Sequence, residues 1–89
     1  MTKSEYSELY DQLLYGHDAD LQIEGHRFFV EWDESEITVY QMHEDSGIAV
    51  AVLRGENRVE IVKELFGYSF INGKSLNQSY QQFTILDIE

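Results

Sequence analysis

The chain has no cysteine and no proline, and only six lysines and arginines stand against seventeen aspartates and glutamates. The lack of cysteine excludes a disulfide framework, thiolate chemistry and a cysteine-ligated zinc site, and it suits a reducing compartment. No apolar run approaches the roughly 20 residues needed to span a bilayer. Met1-Thr2-Lys3-Ser4-Glu5 lacks the apolar stretch of a secretory leader. A soluble, cytoplasmic protein with no membrane partner is expected. Scarcity of basic residues has its own consequence, because the formal net charge is −11 and twelve of the acidic residues lie in the first 45 positions against Lys3 and Arg27 alone. A field of one sign concentrated there repels nucleic acid and anionic membranes and attracts basic partners at long range. Direct nucleic-acid binding is therefore not expected.

What is present is enough for a core. At 43% apolar and 13% aromatic residues, the composition is too hydrophobic for a disordered acidic tail. A length of 89 residues allows one domain spanning 1–89, which at this size buries only about 60% of the surface of its unfolded chain. No internal repeat or low-complexity linker divides it.

Tyr6, Leu9, Tyr10, Leu13 and Leu14 fall on one stripe of a helix over residues 2–15, with Thr2 and Glu5 as a capping box and Gly16 as the stop. The period then changes to two from Ala19 to Leu53, and polar links fall where a meander of four antiparallel strands needs them. With turns centred on Glu24-Gly25, Glu34-Ser35 and Asp45-Ser46, the expected neighbours are Leu21 with Phe28, Val30 with Val39, Trp32 with Ile37, Val39 with Val52, and His43 with Ile48. One face then collects Leu21, Ile23, Phe28, Val30, Trp32, Ile37, Val39, Ile48, Val50 and Val52 as the core side. The other carries a row of Phe29, Tyr40 and Ala51 with Met42 and Ala49 beside it, less polar than a water-facing sheet requires. Coverage by the C-terminal segment and a partner or homodimer surface are the two explanations.

Asn57 and Glu60 cap a second helix whose stripe, Val59, Ile61, Val62, Leu65 and Phe66, ends at Gly67. Tyr68 to Ile71 and an Asn72-Gly73 turn follow, Ser75 can cap a short helix, and Phe83 to Ile88 is β-rich enough to add an edge strand. The fold expected is α+β: a four-stranded antiparallel meander with two main helices on one face and a C-terminal segment available to extend the sheet.

This order of elements, with Phe70-Ile71-Asn72-Gly73-Lys74-Ser75-Leu76 after the second helix, resembles small acidic α+β proteins of low-GC Gram-positive bacteria and their mobile elements. The resemblance implies a fold and a bacterial or mobile-element origin, and it carries no site.

Gly73-Lys74-Ser75 invites a phosphate-loop reading, but Tyr68 stands where the first glycine is required. A turn followed by a helix cap accounts for it better. His17, His26 and His43 have carboxylates nearby, yet no two histidines are one helical turn apart, so no metal site is expected. His26 and His43 are expected at strand ends on the core face, partly buried. Asp33-Glu34-Ser35-Glu36 departs from the calcium-loop pattern at its glycine and its final glutamate. Carboxylates held in turns and on one helix face stay hydrated and ionised, which suits neither acid nor base catalysis. No cofactor is called for, and the chain is not expected to be an enzyme.

A protein-binding role is expected instead. Glu31, Asp33, Glu34, Glu36, Glu44 and Asp45 are the charged candidates, and Asp18, Asp20, Glu31, Asp33, Glu34 and Glu36 with Glu5, Glu8 and Asp11 can make a dense anionic surface. Such a surface can imitate a phosphate backbone and occupy the basic groove of a nucleic-acid-binding protein, as small acidic inhibitors of restriction or CRISPR enzymes do as a class. Phe29, Tyr40 and Met42 are the apolar candidates, for an adaptor or a homodimer built on the aromatic sheet face.

Overall fold

The computed structural model describes residues 1–69 and 73–89. Helix α1 (Lys3–Leu14) is followed by strands β1 (Ala19–Ile23), β2 (His26–Asp33), β3 (Glu36–His43) and β4 (Ser46–Arg54), helix α2 (Arg58–Gly67), a short helix α3 (Leu76–Ser79), a turn of 3-10 helix (Tyr80–Gln82) and strand β5 (Phe83–Ile88). The sheet is antiparallel in the order β4-β3-β2-β1-β5. The expected α+β meander is thus present with β5 added at its edge. Three of the seven residues that carry the family resemblance, Phe70, Ile71 and Asn72, lie outside the described residues, as does the turn expected there.

Local chemistry accounts for the helix boundaries. Thr2 accepts from the Glu5 amide and Glu5 answers to the Thr2 amide, closing a capping box. Asn57 and Ser75 cap α2 and α3 with the side chain alone, accepting from the Glu60 and Gln78 amides. At the other end of α1, the Gly16 amide donates to Leu13 O at 3.0 Å and the His17 amide to Gln12 O at 3.1 Å, a Schellman closure. Gly16 has φ +95°, and a Cβ there would lie 3.2 Å from the Arg58 guanidinium. That guanidinium donates to Leu14 O at 3.2 Å and sits 5.6 Å from the Trp32 ring, while Trp32 Nε1 donates to Leu13 O at 2.9 Å. The last turn of α1 carries no basic residue of its own. Arg58, from the start of α2, supplies the positive charge its carbonyl end favours. Three elements are thereby tied at one corner.

The helices cover one face of the sheet. Leu9 and Leu13 of α1, Ile61, Val62, Leu65 and Phe66 of α2, and Leu76 of α3 close over Ala19, Leu21, Ile23, Phe28, Val30, Ile37, Val39, Ala51, Leu53 and Phe83. Tyr6 and Tyr10 lie edge-on to Phe66, each 5.2 Å between ring centres. Both tyrosines are half-buried at the border of the core.

The first two hairpins have the expected register, with Leu21 opposite Phe28, Val30 opposite Val39 and Trp32 opposite Ile37. The third departs from it twice. Its turn is centred on Glu44-Asp45, so His43 faces Ser46 and Ile48 faces Gln41. Further along, the register shifts between Val39 and Tyr40, leaving Val50 as an extra residue, so Val39 faces Ala51 and Thr38 faces Val52. A bulge of one residue exchanges the faces of everything beyond it. Ala51 and Leu53 therefore enter the core, Val52 is 46% exposed on the other face, and Ile48 is 62% exposed beyond the cover of the helices. The physical reason for the turn position lies at Gly47, opposite Met42: a Cβ there would be 2.8 Å from Met42 Sδ and 3.1 Å from Tyr40 Cβ. The residue without a side chain sits where two large ones lean across β4.

Candidate partner-binding surface

On the face away from the helices the strands place Asp20, Phe29, Tyr40 and Ala49 in one row, with Ala49 in the place expected for Ala51. Gln22, Arg27, Met42 and Gly47 form the next row on one side, and Glu31, Thr38 and Val52 the next on the other. Phe29, Tyr40 and Met42 are half-buried, although no helix packs over them among the described residues. Their shelter is lateral: large side chains on neighbouring strands cover one another at cross-strand distances. Thr38 shows the effect most, being only 7% exposed in the middle of this face. The C-terminal segment does not cross it, because β5 pairs along β1 and turns Phe83 into the helix-side core.

Charge rims this apolar strip. Asp20 receives a two-pronged contact from Arg27, at 2.9 Å from Nε and 2.7 Å from Nη2, and Glu36 receives Arg54 Nε at 2.6 Å. Each pair raises the pKa of its arginine, first through the hydrogen bond and then through the nearby carboxylate. Lys74 pairs with Glu24 at the far end of the sheet. Asp18 has a different task, since its carboxylate accepts the Trp32 amide at 2.9 Å and steadies the start of β1 against β2.

The six charged candidates do not form one patch. Successive turns of a meander alternate between the ends of the sheet, so Glu31, Asp33, Glu34 and Glu36 gather at the β2–β3 end, whereas Glu44 and Asp45 share the opposite end with Glu24. Eight residues of strand, about 26 Å at 3.3 Å each, separate the two groups. Glu5, Glu8 and Asp11 lie on α1, in the layer across the core. The dense surface expected of Asp18, Asp20, Glu31, Asp33, Glu34 and Glu36 with Glu5, Glu8 and Asp11 is corrected to two, one on the sheet and one on α1, and Glu44 and Asp45 stand apart from both. Glu24, Glu34 and Glu44 each open a turn at positive φ, 51°, 56° and 57°. Their ten-residue spacing marks all three turns, and it is the signal in the sequence that locates the third.

His26 and His43 are exposed rather than partly buried, each being the strand residue that adjoins a hairpin turn. His26 Nδ1 lies 3.2 Å from Gln41 Nε2. Among the described residues no three of His, Asp or Glu are grouped closely enough to hold a metal ion. A shallow groove of about 370 Å³ runs between α1 and β5, lined by Ser4, Glu5, Glu8, Ile85 and Ile88. Hydrogen bonds from Thr2, the backbone amide first, hold the Glu5 carboxyl below its ordinary pKa. Bound in its capping box, Glu5 is poorly placed to supply a proton.

No family model, curated protein or solved structure matches the chain. No helix among the described residues is long and apolar enough to cross a membrane.

Proposed function

We propose that this protein is a non-catalytic binding module that docks a basic protein on the bare face of its sheet. The reading is carried by the half-buried Phe29, Tyr40 and Met42 strip, which lies on the side that no helix covers among the described residues and is rimmed by Glu31 and Asp33 together with the Asp20–Arg27 and Glu36–Arg54 pairs. Apolar centres with charged rims are the usual anatomy of a protein interface, with aromatic and methionine side chains enriched at the centre. The overall charge of −11 steers a basic partner toward it. The partner is met in the bacterial cytoplasm.

A decoy-type inhibitor of a basic nucleic-acid-binding enzyme is a second reading, favoured by Glu31, Asp33, Glu34 and Glu36 gathering at one end of the sheet. Salt separates the two. Host proteins captured on the immobilised chain are released by about 0.5 M salt if phosphate mimicry dominates. They resist that salt and are lost on Phe29→Ser with Tyr40→Ser if the apolar strip dominates. Retention of partners by that double variant and by a Glu31, Asp33, Glu34 and Glu36 charge reversal alike would overturn both.

A further inference from the structure

We infer that the partner docked on the bare face is anchored there by an arginine, whose stem lies on Phe29 and Tyr40 and whose guanidinium forks onto Glu31. The inference rests on the docking reading above and names the side chain which that reading leaves open. Four carboxylates on strands β1 to β3 face this side, those of Asp20, Glu31, Asp33 and Glu36. Two of them already hold an arginine of their own chain, Asp20 at 2.7 Å from Arg27 and Glu36 at 2.6 Å from Arg54. The carboxylates of Glu31 and Asp33 have neither a cation nor a hydrogen bond among the described residues. Both arginines of this face are thus satisfied, and two negative charges beside the aromatic strip are left over.

Position chooses Glu31 over Asp33. Glu31 is half-buried and Asp33 exposed, and an ion pair gains more where water is partly withdrawn than where it is not. Glu31 follows Phe29 on the same face of β2, about 6.6 Å further along the strand. It stands opposite Thr38, which precedes Tyr40 on that face of β3. A side chain laid along the strip therefore meets ring surface first and a carboxylate at its end. Arginine fits that order, because its methylenes cover apolar surface and its planar head both stacks on a ring and bonds a carboxylate through two parallel N–H donors. Lysine presents a compact, strongly hydrated charge that neither stacks nor forks. The chain makes both contacts with its own arginines: Arg27 forks onto Asp20 through Nε and Nη2, and Arg58 lies 5.6 Å from the centre of the Trp32 ring. Around Glu31 the rings and the carboxylate are in place, and the cation is what a partner brings.

Nona-arginine and nona-lysine, equal in length and charge, are the probes, titrated calorimetrically into the full chain at about 0.15 M salt. Both are drawn by the net charge of −11, so the preference between them is the readout. Nona-arginine is expected to bind about tenfold tighter or more, with the largest amide shifts in nuclear magnetic resonance at Glu31, Thr38 and Tyr40. Glu31→Gln should reduce that preference to about twofold or less, with thermal unfolding unchanged, and Tyr40→Leu, which keeps apolar bulk without a ring, should reduce it as well. Glu64→Gln makes the same change of charge at an exposed position of α2 and should leave the preference intact. Equal binding of the two peptides overturns the inference, as does a preference that survives Glu31→Gln or falls equally with Glu64→Gln. Host proteins captured through Phe29 and Tyr40 without any arginine preference would overturn this inference and leave the docking reading standing. Capture indifferent to Phe29 and Tyr40 would end that reading and this inference with it.

Discussion

The two faces of the sheet are built from the same strands and held together differently. On the helix side, Leu21, Phe28, Val30, Ile37 and Val39 are fully buried, each between strand neighbours and a helix layer. On the bare side, Phe29 and Tyr40, opposite each other on β2 and β3, reach only partial burial, and Tyr40 and Met42 lean across Gly47. Burial is therefore concentrated on one face, and the other has no layer over it among the described residues. A side chain sheltered only by its neighbours can exchange that shelter for a partner's surface without opening the core.

The largest break of this comparison is Phe28→Ala, which empties a fully buried ring position. A loss of about 3 to 5 kcal/mol is expected in urea unfolding, enough to unfold much of so small a domain. Next, Trp32→Phe removes the indole donor to Leu13 O and weakens the Arg58 contact at the corner where α1, β2 and α2 meet. About 1 to 2 kcal/mol should be lost, read by far-ultraviolet circular dichroism because Trp32 is the one tryptophan. On the bare side, Phe29→Ser and Tyr40→Ser should each cost about 0.2 to 1 kcal/mol while abolishing salt-resistant partner capture. A loss as large as that of Phe28→Ala would make the row part of the core and end the binding proposal.

Two smaller effects sharpen the picture. Glu34 opens its turn at φ 56°, a conformation unfavourable to most side chains and better tolerated by asparagine. Glu34→Asn is expected to raise stability by about 0.5 kcal/mol in thermal unfolding. Tyr6 is held above its ordinary pKa of 10.0, chiefly by burial and then by Tyr10 and Tyr80. The folded state keeps that proton more tightly than the unfolded chain does, so the stabilisation is complete below pH 10 and fades as pH rises through the folded value. Tyr6→Phe should flatten the alkaline limb of stability against pH, and should also lose the hydrogen bond from the Tyr6 hydroxyl to Asn77.

Much of this architecture is legible in the chain because its signals are local. The Thr2 and Asn57 caps, the Gly16 stop and the first two hairpins depend on residues within a few positions of each other. The third hairpin was not legible through the same rules. Its turn could be read only from the ten-residue spacing of Glu24, Glu34 and Glu44, and its bulge only from how Leu53 and Ala51 fit beneath α2. The candidate surface divided in the same manner. Phe29, Tyr40 and Met42 adjoin because strand alternation is a local property. The charged candidates separated because which end of a sheet a turn occupies depends on counting every strand before it.

The sequence by itself determined the elements, their caps, the inward face of β1 to β3 and the sign of the field around the molecule, since each follows from local propensity, alternation or summed charge. Tertiary structure decided the face of β4, the edge that β5 takes, the pairing of Asp20 with Arg27 and Glu36 with Arg54, and the division of the acids among three surfaces. These depend on contacts between residues distant in the chain, where packing volume and the one-residue shift of a bulge outweigh any local preference.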